Sequence, residues 1–159
     1  MDTQKLNTWL SLGANLGVLI GIVFLAIEIR QNTEMTRVQI IQNRADAAIS
    51  IAAATFNSEY LPGIVAKARR GEHLSDEEAL RYTGWIRAAL RNQDNNLQQY
   101  NQGMLGSHIP RSSGLAIENL VVDSARGRSF WEQNKDSFSD GFVVFVDALI
   151  AENDAGQPR

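Results

Sequence analysis

The sequence predicts an all-α protein, in which an N-terminal transmembrane helix continues into a compact helical bundle of about five further helices. Three observations lead there. Leu6 to Ile27 is a run of 22 residues without a charged side chain. No Pro or Gly interrupts the chain between Gly21 and Pro62, so the apolar helix meets no stop signal where the charges return. Downstream, apolar residues recur every three or four positions, and no segment keeps the period of two that marks a strand.

Composition excludes several classes. A length of 159 residues fits one domain, or one domain with an appendage. With 15 Lys and Arg against 18 Asp and Glu, the net charge of -3 excludes a strongly basic nucleic-acid binder, so no nucleic-acid partner is expected. The absence of cysteine excludes a disulfide scaffold, a thiolate zinc site and a cysteine nucleophile. The two histidines, His73 and His108, sit in separate Gly-containing loops without ligand spacing, and no metal or cofactor is predicted. No Gly-rich loop matches a phosphate or dinucleotide fingerprint. Ser113 lies in an Arg-Ser-Ser-Gly stretch, but nothing places a histidine beside it for a hydrolase triad.

The first segment, residues 6–29, is read as the membrane span. As a helix, the uncharged run measures about 33 Å, against a hydrocarbon core of about 30 Å. Leu16, Val18, Leu19, Ile20, Ile22, Val23, Phe24, Leu25 and Ile27 carry most of the apolar mass; Trp9 stands where an interfacial aromatic anchors one end, and Glu28 with Arg30 closes the other. A buried soluble helix is usually shorter and is seldom apolar all round. A cleaved signal peptide needs small residues at its cleavage site, whereas this run ends Phe24-Leu25-Ala26-Ile27-Glu28. Gly13, Gly17 and Gly21 are four apart and stack on one helix face, a small-residue ridge that lets another helix backbone approach. The partners expected are therefore the lipid bilayer and a second transmembrane helix, belonging either to another copy or to a membrane complex. Lys5 on one side is outnumbered by Arg30, Arg37 and Arg44 on the other, which places the C-terminal domain in the cytoplasm.

Residues 30–153 are read as the soluble helical domain. The first helix runs on, with Met35, Val38, Ile41, Ala45, Ala48, Ala52 and Phe56 on one face, and from Ala47 to Ala54 it is expected to be buried on several sides. Tyr60 to Arg70 forms a second helix, with Pro62 in its first turn and Gly71 ending it. Ser75 with Glu78 forms a capping box that opens a third, along which Tyr82, Ile86, Leu90, Gln93, Leu97, Tyr100 and Met104 keep helical spacing. Pro110 to Ala125 is the fourth helix and Arg128 to Lys135 the fifth. Ser139 caps the sixth, where Phe142, Phe145, Val146, Leu149 and Ile150 share a face and Phe138 staples onto Val143. Residues 154–159 are read as a frayed tail.

Three stretches carry a resemblance. Asn15 to Thr33 reads NLGVLIGIVFLAIEIRQNT, Gln93 to Gly103 reads QDNNLQQYNQG, and Ala125 to Ile150 reads ARGRSFWEQNKDSFSDGFVVFVDALI. Together they resemble a family of small uncharacterised bacterial single-pass membrane proteins. These have an apolar N-terminal helix ending in an IRQNT-like sequence, a Tyr-rich helix, and a W-E…F-S-x-x-F-x-x-x-[VI]-D-x-L finish. The chain departs from the pattern at Leu97 and Gln98, where the family favours aromatics, at Phe130, which replaces a Trp, and at Phe145, near a usual Tyr. The resemblance implies the architecture and a bacterial inner (cytoplasmic) membrane, and it carries no activity with it.

One constellation stands out. Gln93, Asp94, Asn95, Asn96, Gln98, Gln99, Asn101 and Gln102 form a dense amide cluster with a single acid, preceded by Arg87 and Arg91 on neighbouring turns. The plain reading is a solvated face with Asp94 paired to an arginine. The functional reading is a polar network around Gln93, Asp94, Gln99 and Tyr100, because Gln93 falls on the apolar stripe and a buried amide must be satisfied. With no catalytic group predicted, the chain reads as a non-catalytic interaction module or accessory subunit of a membrane complex. The alternative is a membrane-tethered small enzyme or ligand sensor built on a pocket around Asp94.

Overall fold

The computed structural model describes residues 3–156, Lys5 by its backbone alone. Among the described residues there are six α-helices and no strand: α1 Thr3–Phe56, α2 Leu61–Arg69, α3 Asp76–Asn101, α4 Ile109–Ile117, α5 Ala125–Asn134 and α6 Asp140–Gly156. A π-helical turn, Glu118–Val122, extends α4, and a 3-10 turn, Lys135–Ser137, extends α5. The chain divides into two units, Met1–Ile40 and Ile41–Arg159.

The described part of the first unit is α1 alone. Every side chain described from Thr3 to Gln39 is exposed, including Trp9, Leu16, Ile20, Phe24 and Ile27. By length and composition the helix is long and apolar enough to cross a membrane. The hydroxyls of Thr8, Thr33 and Thr36 each donate to the carbonyl four residues earlier, at 2.9, 2.8 and 2.9 Å, so these side chains satisfy themselves within the helix.

The second unit owes its core to α2, α3, α4, the π-helical turn, α5 and α6, with Leu74 from the loop before α3. Trp131, Phe142, Ile86, Leu90, Ile109, Ile117, Val121 and Val146 are fully buried. Trp131 meets Phe142 edge-on at 5.7 Å between ring centroids, and Phe138 lies 5.3 Å from Trp131 and 5.6 Å from Phe142. Such offset and edge contacts add about 0.5–1.5 kcal/mol per pair beyond area burial. The indole N–H of Trp131 donates to Asp147 Oδ1 at 2.8 Å, so the one polar atom of the buried ring is satisfied. No side chain of α1 belongs to the core cluster, which is complete without it.

Local chemistry explains the helix ends. Ser75 accepts from Glu78 N–H (3.2 Å) while Glu78 Oε2 accepts from Ser75 N–H (2.9 Å), the predicted capping box. Gly71 (φ 70°) and Gly103 (φ 72°) take the left-handed conformation one residue past the caps of α2 and α3. Glu72 N–H then reaches Lys67 O and Met104 N–H reaches Gln99 O, both at 3.0 Å, closing each helix in a Schellman motif. Ser58 Oγ accepts from Leu61 N–H at 3.1 Å and opens α2.

The structure corrects four sequence expectations. The apolar face of α1 predicted to be buried is exposed. Met35, Val38, Ile41 and Phe56 are 64%, 48%, 56% and 80% exposed, and Ala45, Ala48 and Ala52 are exposed too. Ile40, Arg44, Ile51 and Thr55, on the other side, are half-buried instead. Periodicity reports that a face is apolar and says nothing of what covers it. The fourth helix does not reach Ala125. It ends in the π-helical turn, where Asp123 N–H bonds Glu118 O at 2.8 Å, and Ser124 starts α5 by accepting from Gly127 N–H at 3.1 Å. Ser139 precedes α6 as predicted, but its hydroxyl donates to Asp94 rather than capping the helix. The segment read as a frayed tail is helical to Gly156, with Asp154 held by Arg128 at 2.7 Å, and its last residues, 157–159, lie outside the described residues.

Glycine is required at 127. A Cβ there would stand 1.9 Å from Leu120 O and 3.0 Å from Val121 Cα, because α5 presses its backbone onto the π-helical turn. Gly84, in the middle of α3, has nothing within 4 Å of the same point. Gly127→Ala is therefore expected to cost on the order of 3 kcal/mol through overpacking, whereas Gly84→Ala should gain about 0.5–1 kcal/mol of helix propensity. Denaturant melts of both variants in detergent, followed by circular dichroism, check this; equal stability of the two would contradict the close contact.

Candidate functional site

The amide cluster occupies the C-terminal half of α3 and divides into two ties between helices. The first centres on Asp94, which is 2% exposed. Its Oδ1 accepts from Ser139 Oγ at 2.5 Å and from Gln98 Nε2 at 2.9 Å; its Oδ2 accepts from Ser139 N–H at 3.3 Å and lies 3.6 Å from Arg91 Nη1. The carboxylate therefore stands at the N-terminal end of α6, where negative charge is favoured by the helix dipole. Arg91 also donates to Ser137 O, and its guanidinium lies 4.6 Å from the ring centroid of Phe138. One arginine thus spans the acid, the 3-10 turn and the aromatic core.

The second tie joins α3 to the end of α1. Arg44 Nε donates to Asn96 Oδ1 at 2.7 Å, and Asn96 Nδ2 donates to Gln93 Oε1 at 3.4 Å. Three turns before Asn96 on α3, Trp85 Nε1 donates to Thr55 Oγ1 at 2.9 Å. Beside Trp85 an apolar groove of about 350 Å³ opens between Ile51, Ala54, Leu61, Gly84 and Ala88. The last turns of α1 thus meet the bundle through hydrogen bonds at the rim of an apolar depression.

The four residues proposed as a polar network are separated by this geometry. Gln93 belongs to the Arg44–Asn96 tie and Asp94 to the Ser139 tie. Gln99 donates to Asn95 Oδ1 at 3.2 Å, while its buried Oε1 has no partner among the described residues. Tyr100 packs against the hydrophobic core. The pairing of Asp94 with Arg91 was readable from their spacing; Arg87 turns instead to Asn134, at 2.8 Å. Sequence reasoning missed Ser139 and Arg44 as partners. The only sequence signal was that Asn96 shares a face with Gln93.

The remaining singled-out residues have structural surroundings. His73 and His108 are exposed in separate loops. Phe130 and Trp131 are core anchors, and Arg128 donates to Val122 O at 3.0 Å, Asn153 Oδ1 at 3.1 Å and Asp154 Oδ1 at 2.7 Å. Ser113 is buried in α4, and its hydroxyl has no partner among the described residues. Gly13, Gly17 and Gly21 have nothing within 4 Å of an added Cβ, so the ridge is open within the chain.

Tyr82 of α3, 4% exposed, lies beside Ser124, the residue that caps α5. Burial pushes the Tyr82 phenol above its ordinary value, and the nearby Ser124 side chain opposes part of that rise. On α2, Lys67 donates to Glu78 at 2.6 Å; together with the Ser75 N–H, it holds the Glu78 carboxyl below the usual range.

Comparison of the chain with protein-family models, curated proteins and solved structures finds no match.

Two expectations follow. Ser139→Ala and Asp94→Ala are each expected to lower stability by about 1–3 kcal/mol, the range for a buried hydrogen bond to a charged group, and the double variant by much less than their sum. A double-mutant cycle in denaturant measures this coupling; additive losses would dissolve the tie. As for pH, a raised phenol pKa means that the unfolded chain ionises first. Stability is therefore complete below the ordinary tyrosine value of 10.0 and falls as pH rises above it. Tyr82→Phe should flatten that alkaline limb in thermal melts recorded between neutral pH and pH 11.

Proposed function

We propose that this chain is a single-pass, membrane-anchored helical protein whose role is to bind other proteins rather than to catalyse, as an interaction module or accessory subunit of a membrane complex. One observation carries the reading: α1 exposes its apolar side chains along its whole first unit, while the bundle core is complete without α1. Water penalises such a surface by about 25 cal/mol for each Å² left uncovered, and a bilayer removes that penalty. In this reading the span is 6–29, in a bacterial inner membrane, and the Arg30, Arg37 and Arg44 excess orients the bundle to the cytoplasm. The open Gly13–Gly17–Gly21 ridge is the contact for another transmembrane helix. The oxygens of Asp94 are engaged by Ser139, Gln98 and Arg91, so no specific observation favours the ligand-sensor reading.

Fractionation tests the anchor. The full chain should sediment with membranes and keep its N-terminal residues by intact mass. A chain lacking residues 1–29 should be soluble and still helical. Recovery of the full chain without detergent, or a mature protein trimmed within residues 20–30 as after signal cleavage, would defeat the reading. Protease added outside spheroplasts should spare the bundle, and its digestion would reverse the orientation.

The ridge has its own test. Gly17→Ile fills the groove while raising apolarity, so it should abolish cross-linking to a partner helix at unchanged membrane insertion. Val18→Ile, on another face, should leave cross-linking unchanged. Equal behaviour of the two would mean that the glycines mark no interface.

A further inference from the structure

We draw no further inference here: the strongest candidate, the apolar groove of about 350 Å³ beside Trp85, between the last turns of α1, the start of α2 and the middle of α3, has its one charged rim residue, Arg81, already paired with Glu77, and nothing in the structure shows what covers it.

Discussion

The bundle depends on one buried ring. Trp131 is the largest fully buried side chain, and it can occupy the centre only because Asp147 receives its indole N–H. An unpaired N–H at that depth would cost about 1–3 kcal/mol, enough to offset much of what the ring gains by burial. Asp147 is in turn steadied by Lys135, whose ammonium lies 3.5 Å from Oδ2 and also bonds Glu132 at 3.1 Å. With the ring fixed, Phe138 and Phe142 have a surface to pack on, and the junction between α5 and α6 follows. Arg91 and Asp94 then close the outside of that junction, so apolar and polar constraints on α6 come from the same turn of α3.

The attachment of α1 obeys a different logic. Its contacts with the bundle run through Arg44 to Asn96 and Thr55 to Trp85, hydrogen bonds worth about 0.5–1.5 kcal/mol each in net stability. The core cluster contains none of its side chains. The end of α1 that belongs to the second unit is held to the bundle by these hydrogen bonds rather than by core packing. The apolar side chains of α1 in the first unit are exposed, and the functional reading turns on that surface.

Much of this was legible in the sequence, and the exceptions share a cause. Phe142, Val146 and Leu149 on α6, and Tyr82, Ile86, Leu90 and Leu97 on α3, were placed on core faces by spacing alone, because those faces are covered by neighbours in the same chain. The Ser75–Glu78 box and Gly71 were readable because capping is decided within four residues. Periodicity found the stripe on α1 equally well, yet burial did not follow, since no described residue covers it. The break between α4 and α5 was placed after Ala125 rather than at Asp123 and Ser124, because those two residues carry neither Gly nor Pro and a π-helical turn leaves no simple composition signal. Asp94 was singled out as the acid of its cluster, but its partner Ser139 is 45 residues away and no local pattern connects them.

The contact at Gly127 reaches beyond stability into kinship. Most core positions accept several side chains of similar volume, so their identity drifts until little of it can be traced. A position where a backbone carbonyl occupies the place of a Cβ has a vocabulary of one letter. Any distant relative that lays its fifth helix on a π-helical turn in this way must spell glycine three residues after the cap, whatever else has changed. That single letter, followed four residues later by a buried tryptophan, is a marker written by geometry, and it can be sought where overall similarity has faded.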